Sequence, residues 1–233
     1  MARTDPWVHA VNSGLGAHIV GKHGQVRKGY VRFVTDPMCS WCWGMTPDIE
    51  TTMHDLPELA YDLSVGGINL DSTKPVGRYG KSQLDKLWDE VTVVTGQTFS
   101  HQVQPGTVYN SMLPCLAIEA MRGLIDAPPF GYTHRLQQRF FAEGVNVNDL
   151  QTLLATAAEF DVDEERLRRD MDSQAVRERA RWGFENARRY GTNALPSVLV
   201  SNDDSDFRLL AGGYVNAEAL TEELRRNFSH PDA

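Results

Sequence analysis

Hydrophobic residues follow a strand-like spacing before and after a long block with helical spacing. β-Branched and aromatic residues fill segment 30–35, between Gly29 and Asp36-Pro37, and this predicts a strand. A helix-compatible segment follows to about residue 55. The predicted strands cover residues 30–35, about 60–70, 196–200 and 207–210, and a last helix covers about 216–228. The predicted order is therefore βαβ, a helical block and ββα.

Residues 72–190 form the helical block. The helices predicted within it cover residues 82–94, 111–124 and 132–143, an amphipathic run capped by Asn148, and residues 163–190. The last of these is predicted as one continuous helix, because acidic residues open it and Arg188 and Arg189 close it, as the helix dipole favours.

The main chemical signal is the sequence DPMCSWCWG at residues 36–44, which follows the first strand and opens a helix. Two cysteines three positions apart in a first helical turn can close a small disulfide ring. The unpaired N–H groups at a helix N-terminus stabilise a thiolate, so Cys39 is the predicted attacking thiol. Cys42, one turn further in, is the predicted resolving thiol.

Metal binding is a weaker interpretation of the same pair. Zinc normally takes four ligands, and Cys115 is the only further cysteine in the chain. We therefore predict no metal and a redox-active pair, with two inert buried thiols as the remaining alternative.

Two prolines support the placement of the pair. Pro47 lies eight residues after Cys39, inside the predicted helix, where it removes a backbone donor and kinks the helix. Pro196 opens a returning strand, and X–Pro bonds are the ones for which the cis form is accessible. A cis Leu195-Pro196 bond would direct the Leu195 backbone at the cysteines, ready to pair with an extended substrate segment.

At these residues the chain resembles the DsbA-like branch of the thioredoxin superfamily, in which a helical domain is inserted into the thioredoxin fold. Within that branch it resembles the cytosolic FrnE-like group, described as predicted protein-disulfide isomerases. The resemblance implies an α/β thioredoxin fold with a large all-helical insertion. By this layout residues 29–71 and 191–233 form the thioredoxin-fold domain, residues 72–190 the insertion, and residues 1–28 an N-terminal extension.

The resemblance also implies roles for particular residues. Cys39 would attack, Cys42 would resolve the mixed disulfide, and the Leu195-Pro196 loop would dock the substrate. No cofactor is expected beyond the redox-active pair, although glutathione is a candidate co-substrate. The expected partners are protein or peptide thiols and disulfides, together with an unidentified electron donor or acceptor.

Two departures from the family pattern leave the direction of electron flow open. The dipeptide between the cysteines is Ser40-Trp41, with neither the proline nor the histidine of periplasmic DsbA. Phe33 stands six residues before Cys39, where thioredoxins place a buried acid. Oxidase, reductase and isomerase therefore remain alternatives.

Three residues near the motif have competing interpretations. Trp41 is either a core residue or an apolar lip that contacts substrate. Cys115 is expected to be a small apolar core residue, with a third redox thiol as the alternative. Asp36 is expected to end the strand through an Asp-Pro turn, and a role in proton handling is the alternative.

Composition limits the cellular location and the binding partners that we expect. The net charge of −8 argues against nucleic-acid binding and against an anionic membrane surface. No stretch approaches the roughly 20 apolar residues of a membrane span, and the N-terminus has no apolar signal region. We therefore expect a cytoplasmic protein, where structural disulfides are disfavoured.

The sequence thus favours a thiol–disulfide oxidoreductase over two alternatives. One is a glutathione-dependent transferase or isomerase on the same fold, like the kappa-class glutathione transferases and the hydroxychromene carboxylate isomerases. Those enzymes usually carry serine where Cys39 stands. The other is a non-enzymatic holdase or binding module that uses an apolar groove of the insertion.

Overall fold

The computed structural model describes residues 29–190 and 193–229 of the chain. The extension predicted for residues 1–28 lies outside the described residues. The strands are β1 (Tyr30–Thr35), β2 (Ala60–Val65), β3 (Ser197–Ser201) and β4 (Arg208–Gly212). The helices are α1 (Ser40–Asp55), α2 (Arg78–Thr95), α3 (Met112–Ile125), α4 (Phe130–Phe141), α5 (Leu150–Ala158), α6 (Glu164–Met171), α7 (Gln174–Ala187) and α8 (Ala217–Ser229).

The four strands form one mixed sheet in the order β2-β1-β3-β4. β1 and β2 are parallel, and α1 supplies the crossover that a parallel pair requires. β3 runs antiparallel to β1, with Ser197 opposite Val34, and β4 runs antiparallel to β3. This register places Pro196 beside the end of β1, where the chain turns towards the cysteines.

Alternate residues of the two middle strands enter different cores, as the pleat requires. On one face, α1 and α8 cover a core of Val31, Phe33, Met45, Ile49, Val198, Val200, Leu220 and Leu224. On the other face, Val34 and Leu199 pack with Phe207 and with Ala187 of α7. Helices therefore cover the sheet on both sides. The predicted fold class, a thioredoxin fold with a helical block between β2 and β3, is confirmed.

The helical block has its own aromatic core around Trp88, which is fully buried. Its ring stacks on Phe99 at 5.5 Å between centroids and meets Phe141 edge-on at 5.9 Å. The same core includes Met38 and Trp43, which flank the cysteine pair. The block and the cysteine turn thus share one packed interior.

Arg122 of α3 ties the block to the outer strand of the sheet. Its guanidinium forms an ion pair with Asp62 at 2.6 Å and donates to the carbonyl oxygen of Leu63. Both partners lie on β2. Glu119, also on α3, forms an ion pair with the same guanidinium, with 3.2 Å between Arg122 Nε and Glu119 Oε2.

Most predicted elements agree with the structure to within a few residues, but three predictions were wrong. The helix predicted over 163–190 is two helices, because Ser173 caps a new helix and accepts the Val176 N–H at 3.3 Å. The second strand ends at Val65, before Gly66 and Gly67, and Gly67 has a φ of 73°. The cap of α5 is Asp149, whose carboxylate accepts the Thr152 N–H at 2.9 Å, and not Asn148.

None of the helices in the described parts of the chain is long and apolar enough to cross a membrane.

α7 packs closely against β2 at Gly183, and a larger side chain there should lower the stability of the protein. A Cβ atom at Gly183 would lie 2.7 Å from the carbonyl oxygen of Val65, so backbone would have to move. We expect Gly183→Ala to lower the free energy of unfolding by about 1–3 kcal/mol through overpacking. Urea denaturation measures this change.

Gly123→Ala is the matched control. Gly123 is exposed in α3, and the nearest atom to an added Cβ is 4.0 Å away. Alanine should therefore raise stability there by up to about 1 kcal/mol through helix propensity. Equal stability of the wild type and Gly183→Ala would contradict the proposed backbone contact.

Candidate active site

The two motif cysteines occupy the first turn of α1. Cys39 is the N-cap residue, and its sulfur accepts the Cys42 backbone N–H at 3.2 Å. Both are free thiols; Cys39 is 6% exposed and Cys42 is 1% exposed. An N–H donor and a helix N-terminus both favour the anionic form of a sulfur placed there. The more accessible sulfur is thus the one that lies at the helix N-terminus.

The Leu195-Pro196 loop lies directly against Cys39. The bond is cis, as the sequence predicted. The Cys39 sulfur lies 3.7 Å from the Leu195 carbonyl oxygen, at the distance of a thiol–carbonyl hydrogen bond. Pro196 is buried and its carbonyl oxygen accepts the Gly213 N–H at 2.8 Å, so the residue after β4 holds the loop in position.

A cleft of about 630 Å³ opens beside Cys39. Its walls come from the cysteine turn, from the segment after β2, from α2 and from the Leu195 loop. Trp41 is half-buried at this cleft, with its ring 6.0 Å from that of Tyr214. Among the described residues that line this cleft, Lys74 is the only charged one. The cleft is thus mainly apolar and contacts the accessible thiol.

Asp36 is fully buried behind the cysteine turn. One carboxylate oxygen, Oδ1, accepts the Met38 N–H at 2.8 Å. The other, Oδ2, accepts the Gly67 N–H at 3.0 Å and the Ser111 hydroxyl at 2.6 Å. An Asp-Pro turn explains only the first of these bonds. The side chain also reaches the insertion, a contact that no sequence pattern predicts.

Burial controls the proton affinity of the acidic groups around this turn. It raises the pKa of Asp36 from an ordinary value of 3.8 to about 6, against the opposing effect of the hydrogen bonds from Ser111 and Met38. Burial also raises the thiol pKa of Cys42 well above its usual value, and the neighbouring Cys39 adds to that effect.

Cys115 lies in the core of the helical block and is fully buried, so the prediction of a core residue is confirmed. Its sulfur is 3.6 Å from Asp36 Oδ2. Burial raises its thiol pKa well above the usual value, and the Asp36 charge raises it further.

Residues 109–111, which the sequence did not point to, form hydrogen bonds with the cysteine turn and with the segment after β2. The Tyr109 hydroxyl donates to the Met38 carbonyl oxygen, immediately before Cys39. The Asn110 amide donates to the carbonyl oxygens of Leu70 and Ser72, at 2.8 and 2.9 Å. These residues lie about 70 positions from the motif, and no spacing rule connects them to it.

No group of three or more His, Cys, Asp and Glu side chains suited to a metal ion occurs in the parts of the chain that the structure describes.

Residues 30–225 match the sequence profile of the DSBA-like thioredoxin domain. No curated protein is significantly similar in sequence. A Nitrosomonas europaea protein provisionally described as a protein disulfide isomerase is 25% identical, with a TM-score of 0.78 over 87% of this chain and 98% of its own.

Two further solved structures share the fold. The cytosolic disulfide reductase DsbM of Pseudomonas aeruginosa is 20% identical, with a TM-score of 0.72 over 86% of this chain and 98% of its own, and it has also been solved with glutathione. A 2-hydroxychromene-2-carboxylate isomerase is 16% identical, with a TM-score of 0.57 over 86% of this chain and 98% of its own.

The profile match covers most of the chain, so the chain belongs to the DsbA-like thioredoxin-domain family. Its enzyme class is thiol–disulfide oxidoreductase.

Because the three thiols differ in their access to solvent, they should be labelled at different rates. In the native protein, iodoacetamide should modify Cys39 first, because Cys39 lines the cleft while Cys42 and Cys115 are buried and have raised pKa values. Mass spectrometry of tryptic peptides after short exposures measures the order. Labelling in guanidinium chloride is the control, since the three cysteines should then react alike. Native labelling of Cys42 as fast as that of Cys39 would contradict the geometry.

Asp36 generates a prediction about stability and pH. Because folding raises the pKa of Asp36, the folded state holds its proton more tightly, and this carboxyl lowers stability as the pH rises from 3.8 through about 6. Asp36→Asn removes that dependence. The stability of the variant relative to the wild type should therefore increase between pH 4 and pH 7, by on the order of 3 kcal/mol.

Urea denaturation at the two pH values measures this difference, and the hydrogen bonds lost in the variant cancel in the comparison. Asp71→Asn, at an exposed carboxylate, is the control for the change of charge. A constant difference between Asp36→Asn and the wild type across this range would show that Asp36 has no raised pKa.

Proposed function

We propose that the chain catalyses thiol–disulfide exchange on protein or small-molecule disulfides and dithiols through the Cys39–Cys42 pair. The observation that carries the proposal is the position of the Cys39 sulfur. It caps α1, lines the cleft and lies 3.7 Å from the Leu195 carbonyl oxygen. A nucleophile that is stabilised, accessible and adjacent to a docking backbone is what the exchange reaction requires.

In the reducing direction, the Cys39 thiolate attacks one sulfur of a substrate disulfide. A Cys39–substrate bond forms, the substrate S–S bond breaks, and the released thiolate takes up a proton. Cys42 then loses its proton and attacks the Cys39 sulfur, which closes the Cys39–Cys42 disulfide and releases the second substrate thiolate, which takes up a proton. The substrate gains two electrons and the pair loses two. The reverse sequence oxidises a substrate dithiol.

Substrate docking is assigned to Trp41, Leu195 and Pro196. The Leu195 carbonyl oxygen lies beside the reacting sulfur, where the backbone N–H of an extended peptide can replace the thiol as donor. Trp41 supplies an apolar wall of the cleft, and this supports the interpretation of Trp41 as a lip that contacts substrate.

Glutathione is the candidate co-substrate, and no other cofactor is proposed. A cleft of about 630 Å³ is in the size range of small-molecule sites, roughly 300–1,000 Å³. The structure of DsbM, which has a related fold, has been solved with glutathione. A cytoplasmic setting, which the sequence favours, would supply this thiol as the electron donor.

Cysteine variants test the function. Cys39→Ser should abolish the reduction of insulin disulfides in the presence of glutathione, because it removes the attacking thiol. Cys42→Ser should stop after the first attack and accumulate a Cys39 mixed disulfide, detectable by intact-mass measurement. Cys115→Ala should keep most of the activity, since this thiol lies in the core. Loss of activity in Cys115→Ala alone would instead favour the third redox thiol.

The same variants separate the proposal from its alternatives. Full transferase or isomerase activity in a Cys39→Ser, Cys42→Ser double variant would indicate a glutathione-dependent enzyme of another class. Suppression of protein aggregation by that double variant, without any exchange activity in the wild type, would indicate a holdase.

A redox titration in glutathione buffers assigns the direction. A potential of about −270 mV would define a reductase, and one of about −120 mV an oxidant.

A further inference from the structure

One face of α2 forms a wall of the cleft beside Cys39. The residues of α2 and of its N-cap that line the cleft are Gly77, Gly80, Leu84 and Leu87. They are spaced three and four positions apart, so they lie on the same face of the helix. Leu84 and Leu87 are half-buried, whereas the two positions nearest the start of the helix are glycines. The wall therefore carries leucine side chains at one end and no side chain at the other.

Gly80 lies inside α2, although the fold does not require a glycine there. Its φ is not positive, unlike that of Gly67 or Gly96, so its backbone suits any residue. Beyond the chain neighbours, the nearest atom to an added Cβ would be Val76 Cγ1 at 3.5 Å, an ordinary van der Waals contact. Glycine stabilises a helix less than alanine does. Neither backbone conformation nor packing therefore explains the missing side chain.

Other helix glycines show what a structural requirement looks like. A Cβ atom at Gly44 or Gly183 would lie 2.8 or 2.7 Å from a neighbouring atom, so packing accounts for both glycines. Gly123 is also free of close contacts, but it is exposed in α3 and does not line the cleft. Gly80 differs from all three, because it is a glycine without a packing role in the wall of the candidate active site.

The space beside Gly80 belongs to the same cleft as the attacking thiol. Cys39 is 6% exposed, so a disulfide can meet its sulfur only by entering the cleft. The groups attached to the two substrate sulfurs must then fit between the cysteine turn and α2. A side chain at position 80 would occupy part of that volume of about 630 Å³. The glycine thus leaves room for the substituent of a substrate.

The charge on the cleft wall favours an anionic substituent. Lys74 is the only charged residue among the described residues that line the cleft, and no salt bridge is recorded for it among them. The nearest charged residues along the chain, Asp71 and Arg78, are exposed and opposite in sign. The chain as a whole has a net charge of −8, so a cation in this wall is a local exception. Cations in a cleft attract anionic substrates.

We propose that the cleft selects low-molecular-weight disulfides whose substituents carry carboxylates, with Gly80 leaving room for the substituent and Lys74 pairing with the carboxylate. This inference rests on the proposed function and names the substrate class of the same site. The disulfide gains two electrons and two protons and leaves as two thiols. The Cys39–Cys42 pair loses two electrons and two protons as its own disulfide forms. Glutathione disulfide, with a peptide and two carboxylates on each sulfur, belongs to this class.

Two disulfides of different size test the role of Gly80. Reduced protein is mixed with excess glutathione disulfide or with 2-hydroxyethyl disulfide, whose substituents are much smaller. Alkylation of the remaining thiols and intact-mass measurement give the oxidation rate. In Gly80→Leu the rate should fall about 10-fold further for glutathione disulfide than for 2-hydroxyethyl disulfide, because one misplaced group in a pocket costs about that much. Gly123→Leu, at an exposed helix glycine outside the cleft, is the matched control and should keep both rates.

Stability separates this role from a structural one. Leucine has a higher helix propensity than glycine, so the urea midpoint of Gly80→Leu should not fall below that of the wild type. If Gly80→Leu does not fold, Gly80→Ala replaces it and should show a smaller effect in the same direction. An equal change of rate with both disulfides, in whichever variant folds, overturns the proposal.

Two disulfides of equal length and opposite charge test the role of Lys74. 3,3′-Dithiodipropionate is anionic and cystamine is cationic, and comparing the variant with the wild type for each cancels their intrinsic reactivities. Lys74→Met should shift the ratio of the two rates about 10-fold towards cystamine at low ionic strength. The shift should shrink at about 1 M salt, which screens the charge. Lys86→Met, at an exposed lysine of α2 outside the cleft, is the control.

An unchanged ratio of the two rates in Lys74→Met overturns the proposal. The proposed function fails separately, if none of the four disulfides oxidises the wild-type protein.

Discussion

The Asp36 carboxylate joins three parts of the chain that are distant in sequence. It receives the Met38 N–H of the cysteine turn, the Gly67 N–H after β2 and the Ser111 hydroxyl before α3. Each bond fixes one wall of the region around Cys39. Without this acceptor, the Met38 and Gly67 N–H groups would be buried and unpaired, which costs about 1–3 kcal/mol for each group. The geometry of the active-site turn therefore depends on a residue that does not belong to the CxxC pair.

The same turn makes two chemically similar thiols unequal. Cys39 caps the helix and borders the cleft, whereas Cys42 is covered by the core. Under the proposed function, Cys39 would meet the substrate and Cys42 would act on the sulfur of Cys39. The proposed order of attack rests on burial and helix position.

The sequence predicted the features that depend on a strong local signal. The CxxC pair after β1 and the proline before β3 lie where they were predicted, and the alternation of helical and strand-like spacing gave the correct order of elements. The break between α6 and α7 was missed because the charge pattern continues through Ser173, which is also the cap of α7. The roles of Tyr109 and Ser111 could not be predicted, since each depends on a contact across at least 70 residues.

One contact described above also decides where the sheet can be extended. The Arg122 guanidinium binds the Leu63 carbonyl oxygen of β2, and β2 lies at one edge of the sheet. An arginine fixed there occupies an acceptor that an additional strand would need. Among the described strands this leaves β4 as the open edge. Among the described strands, β4 is therefore the edge at which addition of a strand is less hindered.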